Sequence, residues 1–193
     1  MCSSDLEGCG RGKHAGIMRG AYHYFRPQVS VQAQIDNFCG AVGQWQQGDL
    51  QPMLDLEDPA DWQSVPFEQR TNIVLAWLNG VWFRLGAQPV IYASPSFIDE
   101  VLGNDPRLKD FPLWVAHYTM RAHPTVPAPW EFWTFWQHAS NGRVPGVDGN
   151  VDVDRFNGSL GQLQKFQYGH QGFWRRAWTS STPPQQPRRR RHR

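Results

Sequence analysis

The chain has 193 residues, enough for one ordinary domain with tails and a sizeable buried core. Its formal net charge of +2 hides a split: residues 1–166 hold 12 Lys+Arg against all 17 Asp+Glu, a net of −5, and the remaining seven positive charges are arginines from residue 175 onward. An acidic body argues against a nucleic-acid-binding core. Three cysteines without ligand spacing (Cys2, Cys9, Cys39) suggest neither a disulfide framework nor a zinc site, and no apolar run reaches the ~18 residues of a membrane span.

Residues 1–15 show neither helical nor strand periodicity and read as a non-native or irregular N-terminus. The stretch CSSDL (2–6) is what a common sequencing-library adaptor encodes, and the segment lacks the apolar region of a signal peptide. GIMRGAYHYF (16–25) reads as a strand closed by Arg26-Pro27, with His23 a core residue among aromatics. From about Val29 to Gln47, Val31, Ile35, Phe38 and Val42 recur three and four apart, which predicts a helix with one apolar face. PMLDLE (52–57) is the next strand. Val74, Trp77, Leu78, Val81, Trp82 and Leu85 then trace one helical face, with Pro66 near its start and Gly86 just past its end.

PVIYAS (89–94) predicts a strand and PSFIDEVLG (95–103) a short helix. PLWVAHY (112–118), FWTFWQHAS (132–140) and NVDVDRF (150–156) predict three more strands, without convincing helices between them. From residue 167 the periodicity ends in a stretch rich in Pro, Gln and Arg, so 167–193 is expected to be a basic disordered tail.

Alternating strands and helices imply parallel strands joined by crossover helices. An open doubly wound sheet would carry a Gly-rich phosphate loop after the first strand, and none is present. Acids and aromatics instead recur at the C-terminal ends of strands, where barrel sites are built. An irregular TIM-like (β/α) barrel of the α/β class is therefore expected, although six strands fall short of eight.

The chemistry concentrates in QPMLDLEDPADW (51–62). Residues two apart in a strand point the same way, so Leu54 and Leu56 would face helices while Asp55 and Glu57 project together, roughly 6.6 Å apart. Two carboxylates in an enclosed site repel, and one keeps its proton to higher pH, as a general acid near neutrality must. Paired carboxylates are the usual equipment of glycoside cleavage. The competing reading makes Asp55 or Asp58 a helix cap and pairs Glu57 with an arginine. Asp58, just before Pro59, fits a cap well. Ten tryptophans suit either sugar stacking or a large core.

GAYHYF, LDLE, IYAS, LWVAHY, FWQHAS and VDVDRFNG, in this order over roughly residues 15–160, resemble glycoside hydrolase family 25, the Chalaropsis-type lysozymes. The resemblance implies a muramidase acting in bacteriolysis and cell wall catabolism. It would hydrolyse the β-1,4 bond between N-acetylmuramic acid and N-acetylglucosamine in peptidoglycan, as a monomer, without metal or organic cofactor. The same likeness implies an extracellular, cell-wall or phage-delivered setting. Glu57 matches the family's proton donor, and Asp55 the second acid, which assists the substrate's own 2-acetamido group. Asp152 matches the acid on the last strand, with a structural carboxylate as its other reading. Tyr92, Trp114, Tyr118 and Gln137 match positions where the family gathers sugar-contacting side chains, although each also suits a core.

The family's first strand, with an Asp-x-Ser motif, and its second strand are not matched. The chain is thus expected to be N-terminally truncated, with residues 16–166 an incomplete barrel lacking its first two strands and prone to aggregate at raw sheet edges. A non-catalytic glycan-binding barrel, inactive through loss of that first strand, is the competing functional reading.

Overall fold

The patterning yields six short strands in the computed structural model, which describes residues 17–168; the expected irregular N-terminus and nearly all of the basic tail lie outside the described residues. In chain order the elements are β1 (Tyr22–Tyr24), α1 (Val31–Val42), β2 (Met53–Leu56), a 3-10 turn (Pro59–Trp62), α2 (Phe67–Leu85), β3 (Val90–Ala93) and α3 (Pro95–Glu100). A second 3-10 turn (Pro106–Asp110), β4 (Leu113–Ala116), β5 (Phe135–Gly142), β6 (Val151–Phe156) and α4 (Leu160–Lys165) complete them.

Local chemistry sets the bounds. Ser30 caps α1 by accepting from the Ala33 backbone N–H, and Gly43, at φ 64°, ends it before the expected Gln47. The predicted ends of α2 are the observed ones, with Pro66 at the N-cap and Gly86 in the left-handed region. The first strand is shorter than expected, three residues in place of ten.

The sheet runs β1-β2-β3-β4-β5-β6. The first five strands are parallel, joined through helices as the alternation predicts as far as β4 and by a helix-free segment between β4 and β5, whereas β6 pairs antiparallel with β5. Only residues 143–150 separate those two strands, too few for a parallel crossover, so the chain turns back. Among the described residues β1 and β6 do not meet, and the architecture is a curled half-barrel in a mixed α/β fold.

Its convex face carries Leu54, Leu56, Ile91, Ala93, Leu113 and Val115, packed with Ile35 and Phe38 of α1 and Val74, Trp77, Leu78 and Val81 of α2. The helices approach closely at Gly80, where a Cβ would lie 2.5 Å from Ile35 Cδ1. His23 stacks on Trp77 at 5.4 Å and donates to Gln34 Oε1, as a core histidine should. The concave face holds a second apolar cluster: Met53, Val90, Trp114, Phe135 and Phe166. Phe166, 1% exposed, arrives from α4, an element the sequence did not announce. Tyr168 extends this anchor, since its N–H donates to the Asp49 carbonyl and its carbonyl accepts from Gly48.

Candidate active site

β2 delivers the acid pair as its two-residue repeat requires. Leu54 and Leu56 are buried on the convex side, and Asp55 lies in register between Tyr24 and Tyr92. Glu57 is the first residue past the strand and is exposed. Burial, and after it the negative charge of Glu57, pushes the Asp55 carboxyl up to about 7. Its Oδ1 is buried without a hydrogen-bond partner. Among the described residues no ion pair engages Asp55 or Glu57. Asp58 is the cap: at φ 38° it accepts from the Ala60 N–H at 3.0 Å and opens the 3-10 turn.

The later strands close around this pair. Tyr92 on β3 and Tyr118 just after β4 both donate to Gln137 Oε1 on β5, at 2.6 and 2.8 Å. Burial raises the Tyr92 hydroxyl well above the ordinary phenol range, and Glu57, Tyr118, Asp55 and Asp152 push the same way. Trp114 stands edge-on to Tyr92 at 5.6 Å. Asp152, exposed on β6, raises both phenols through its charge. The structure thus brings all seven predicted residues (Asp55, Glu57, Tyr92, Trp114, Tyr118, Gln137 and Asp152) to one end of the concave face.

Two further residues belong to this group. Asp154, two along from Asp152, accepts from Trp114 Nε1 at 2.7 Å. Burial raises its carboxyl to about 6, the Trp114 hydrogen bond lowers it, and Asp152 raises it again. The two-residue rule that paired Asp55 with Glu57 pairs these aspartates equally, so VDVDRF already carried the signal. Tyr24, the register neighbour of Asp55, lies beneath the Arg26 guanidinium at 4.4 Å, and Arg26 pairs with Asp61 at 3.0 Å.

A cavity of about 600 Å³ opens beside Glu57, lined by Asp58, Tyr92, Ser94, His117 and Tyr118 among others. A larger one of about 830 Å³, between Trp82, Phe111 and Trp130, contains none of the site acids. Among the described residues no group of three or more His, Cys, Asp or Glu is arranged to hold a metal ion, and no helix is long and apolar enough to cross a membrane.

This geometry has counterparts. Residues 8–147 match the family model described as glycosyl hydrolases family 25. Lysozyme M1 of Streptomyces globisporus is 38% identical over 159 residues, covering 78% of this chain and 53% of its own, and the uncharacterized protein YegX of Escherichia coli K12 is 36% identical over 154 residues, covering 80% and 53%. The chain therefore spans about half the length of these curated relatives. The crystal structure of the bacterial lysozyme from Streptomyces coelicolor superposes with a TM-score of 0.78 at 33% identity, over 83% of this chain and 77% of that one. With the half-barrel, its acid pair and a family match over most of its length, the chain belongs to glycosyl hydrolases family 25.

Proposed function

We propose that this chain is the catalytic portion of a lysozyme that hydrolyses the β-1,4 bond between N-acetylmuramic acid and N-acetylglucosamine in peptidoglycan, in a cell-wall or extracellular setting. One observation carries the reading: a carboxyl held near 7, with one oxygen unpartnered, stands beside a second acid that borders a sugar-sized cavity. An unpaired buried carboxyl is costly to keep and is characteristic of a functional site. The reading takes the curled sheet as six strands of a TIM-like (β/α) barrel.

In this scheme Glu57 protonates the departing glycosidic oxygen and then takes a proton from the attacking water. Asp55 accepts from the N–H of the 2-acetamido group, orienting that group's carbonyl oxygen toward the anomeric carbon. In the free protein Asp55 holds a proton up to about 7. A ligand N–H at Asp55 favours its charged form, so substrate binding draws off the proton that Asp55 holds in the free protein. Asp152, Trp114, Tyr92, Tyr118 and Gln137 line the glycan path.

Turbidity clearing of bacterial cell walls tests this. The wild type is expected to clear, and Glu57→Gln to lose about 10²-fold or more while still sedimenting with walls. Wall binding without clearing by either protein would replace the enzyme with a glycan-binding barrel.

A further inference from the structure

The cavity of about 830 Å³ belongs to the other end of the sheet. Among its lining residues Gln88 precedes β3, Phe111 precedes β4 and Thr134 precedes β5, so it opens at the N-terminal ends of these strands. Glu57 lies past the C-terminal end of β2, and a four-residue strand spans roughly 13 Å. Its walls are aromatic and held in place. Trp130, 9% exposed, donates its Nε1–H to the Phe111 carbonyl at 2.8 Å, and the Phe111 ring stands edge-on to Trp82 at 6.0 Å. Trp82 is half-buried on α2. Its Nε1–H has no partner among the described residues and is not one of the buried atoms left unpaired, so it reaches solvent. Gln88 donates through Nε2 to the Asp110 carbonyl at 2.7 Å, which fixes the amide, and its Oε1 likewise reaches solvent without a partner.

Charge narrows the occupant. The lining carries Arg107 and Lys109 against Asp110 and Glu131, which sum to zero, and Arg107 is already paired with Asp105 at 2.7 Å. A nucleic acid would need a basic surface, and a charged peptide a field of the opposite sign. A neutral ligand that is apolar on one side and rich in hydroxyls at its rim meets both the indole and the fixed amide. A pyranose ring is such a ligand, and the volume lies within the ~300–1,000 Å³ of binding sites.

We propose that this groove is a second, non-catalytic glycan site: Trp82 stacks one sugar of a neutral β-1,4-linked amino-sugar strand, and Gln88 Oε1 accepts from its hydroxyls. The proposal rests on reading the chain as one that works on peptidoglycan. A wall offers many strands at once, so a hold at this end and a cleft at the other add by avidity, without any contact between the two sites. The groove touches no reacting atom, and its loss changes attachment to the polymer while the cleavage step stays as it is.

The test uses the full chain in a Glu57→Gln background, which removes turnover, and titrates it with neutral β-1,4-linked N-acetylglucosamine oligomers. The Trp82 indole N–H, identified by its loss in Trp82→Phe, is expected to shift in the nitrogen–proton spectrum. Asn79 also lines the groove and is exposed one turn before Trp82 on α2. Asn79→Arg lays a long side chain across the groove at a helical position that arginine suits better than asparagine, so it should fold. It should lower sedimentation with purified cell walls about tenfold near 1 M salt, where its added charge is screened. With Glu57 intact, the same substitution should leave the cleavage rate of soluble glycan fragments unchanged. A Trp82 signal that ignores the oligomers, or wall binding unchanged in Asn79→Arg, overturns the proposal. So does a Trp82 signal that moves with protein concentration alone, which would give the groove to a second copy of the chain. Failure of the wild type to clear walls, with both binding results intact, would instead sink the hydrolase reading and leave this site standing.

Discussion

Asp55 couples the site to stability in a direction that depends on sign. Its carboxyl rises from 3.8 to about 7 on folding, so the folded state binds its proton more tightly than the unfolded state. The resulting stabilisation is fully present below the unfolded value and is lost as pH rises from about 4 through about 7. A shift of that size corresponds to about 4 kcal/mol at most, and to less at a site that water partly reaches. Asp55→Asn should therefore gain stability relative to the wild type above neutral pH, and the gap should close toward pH 4. Asp154, raised to about 6, contributes a slope of the same sign in both proteins, so the difference isolates Asp55. Melting curves from pH 4 to 8 that stay parallel would refute the assignment. The facing of Asp55 and Glu57 was legible, because a two-residue repeat admits one answer. The upward shift of Asp55 was not, because it depends on the burial of that side chain inside β2. Asp154 was missed although the same repeat sets it beside Asp152; only its indole partner, Trp114, 40 residues away, lay beyond the repeat.

Elements were legible in proportion to how much apolar surface they bury along their own length. α2 buries Thr71, Val74, Trp77, Leu78 and Val81 over 19 residues, and its periodicity and end signals predict it closely. α4 has six residues and buries none of them, so periodicity had nothing to display. Its remaining signal was the capping box, in which the Ser159 hydroxyl accepts from the Gln162 N–H and the Gln162 side chain accepts from the Ser159 N–H. The helix matters because it delivers Phe166 to the concave face, where that ring packs edge-on against Phe135 at 5.2 Å. Phe166→Ala should cost about 3–5 kcal/mol, the usual range for emptying such a site. Ser159→Ala should cost about 1 kcal/mol by uncapping alone. Urea midpoints measure both, and a Phe166→Ala loss no larger than that of Ser159→Ala would show that α4 is not an anchor of the half-barrel. β6 was not foreseen as antiparallel: the sequence shows no helix before either β5 or β6, and what turns β6 back is that only residues 143–150 separate it from β5, too few for a parallel crossover.

At the scale of the whole molecule, net charge is misleading until it is divided. Seven arginines and no acid lie beyond residue 168, so removing residues 169–193 changes the formal charge from +2 to −5. The last described anchor, Tyr168 N–H to the Asp49 carbonyl at 2.8 Å, lies just before that cut, and every site residue lies well inside it. Charge removed at that point should leave folding and intrinsic chemistry alone and alter long-range attraction to polyanions. Such attraction is screened over about 8 Å at physiological salt and over about 3 Å near 1 M. The shortened chain is therefore expected to melt within a few degrees of the full chain and to cleave uncharged soluble glycan fragments at the same rate. It should sediment less with anionic cell walls at low salt, and the two proteins should converge as salt rises. Equal wall binding at every salt concentration would confine recognition to the cleft and leave the arginines without a part in it. A salt-independent deficit would instead mean that the removed segment contacts the wall through uncharged groups.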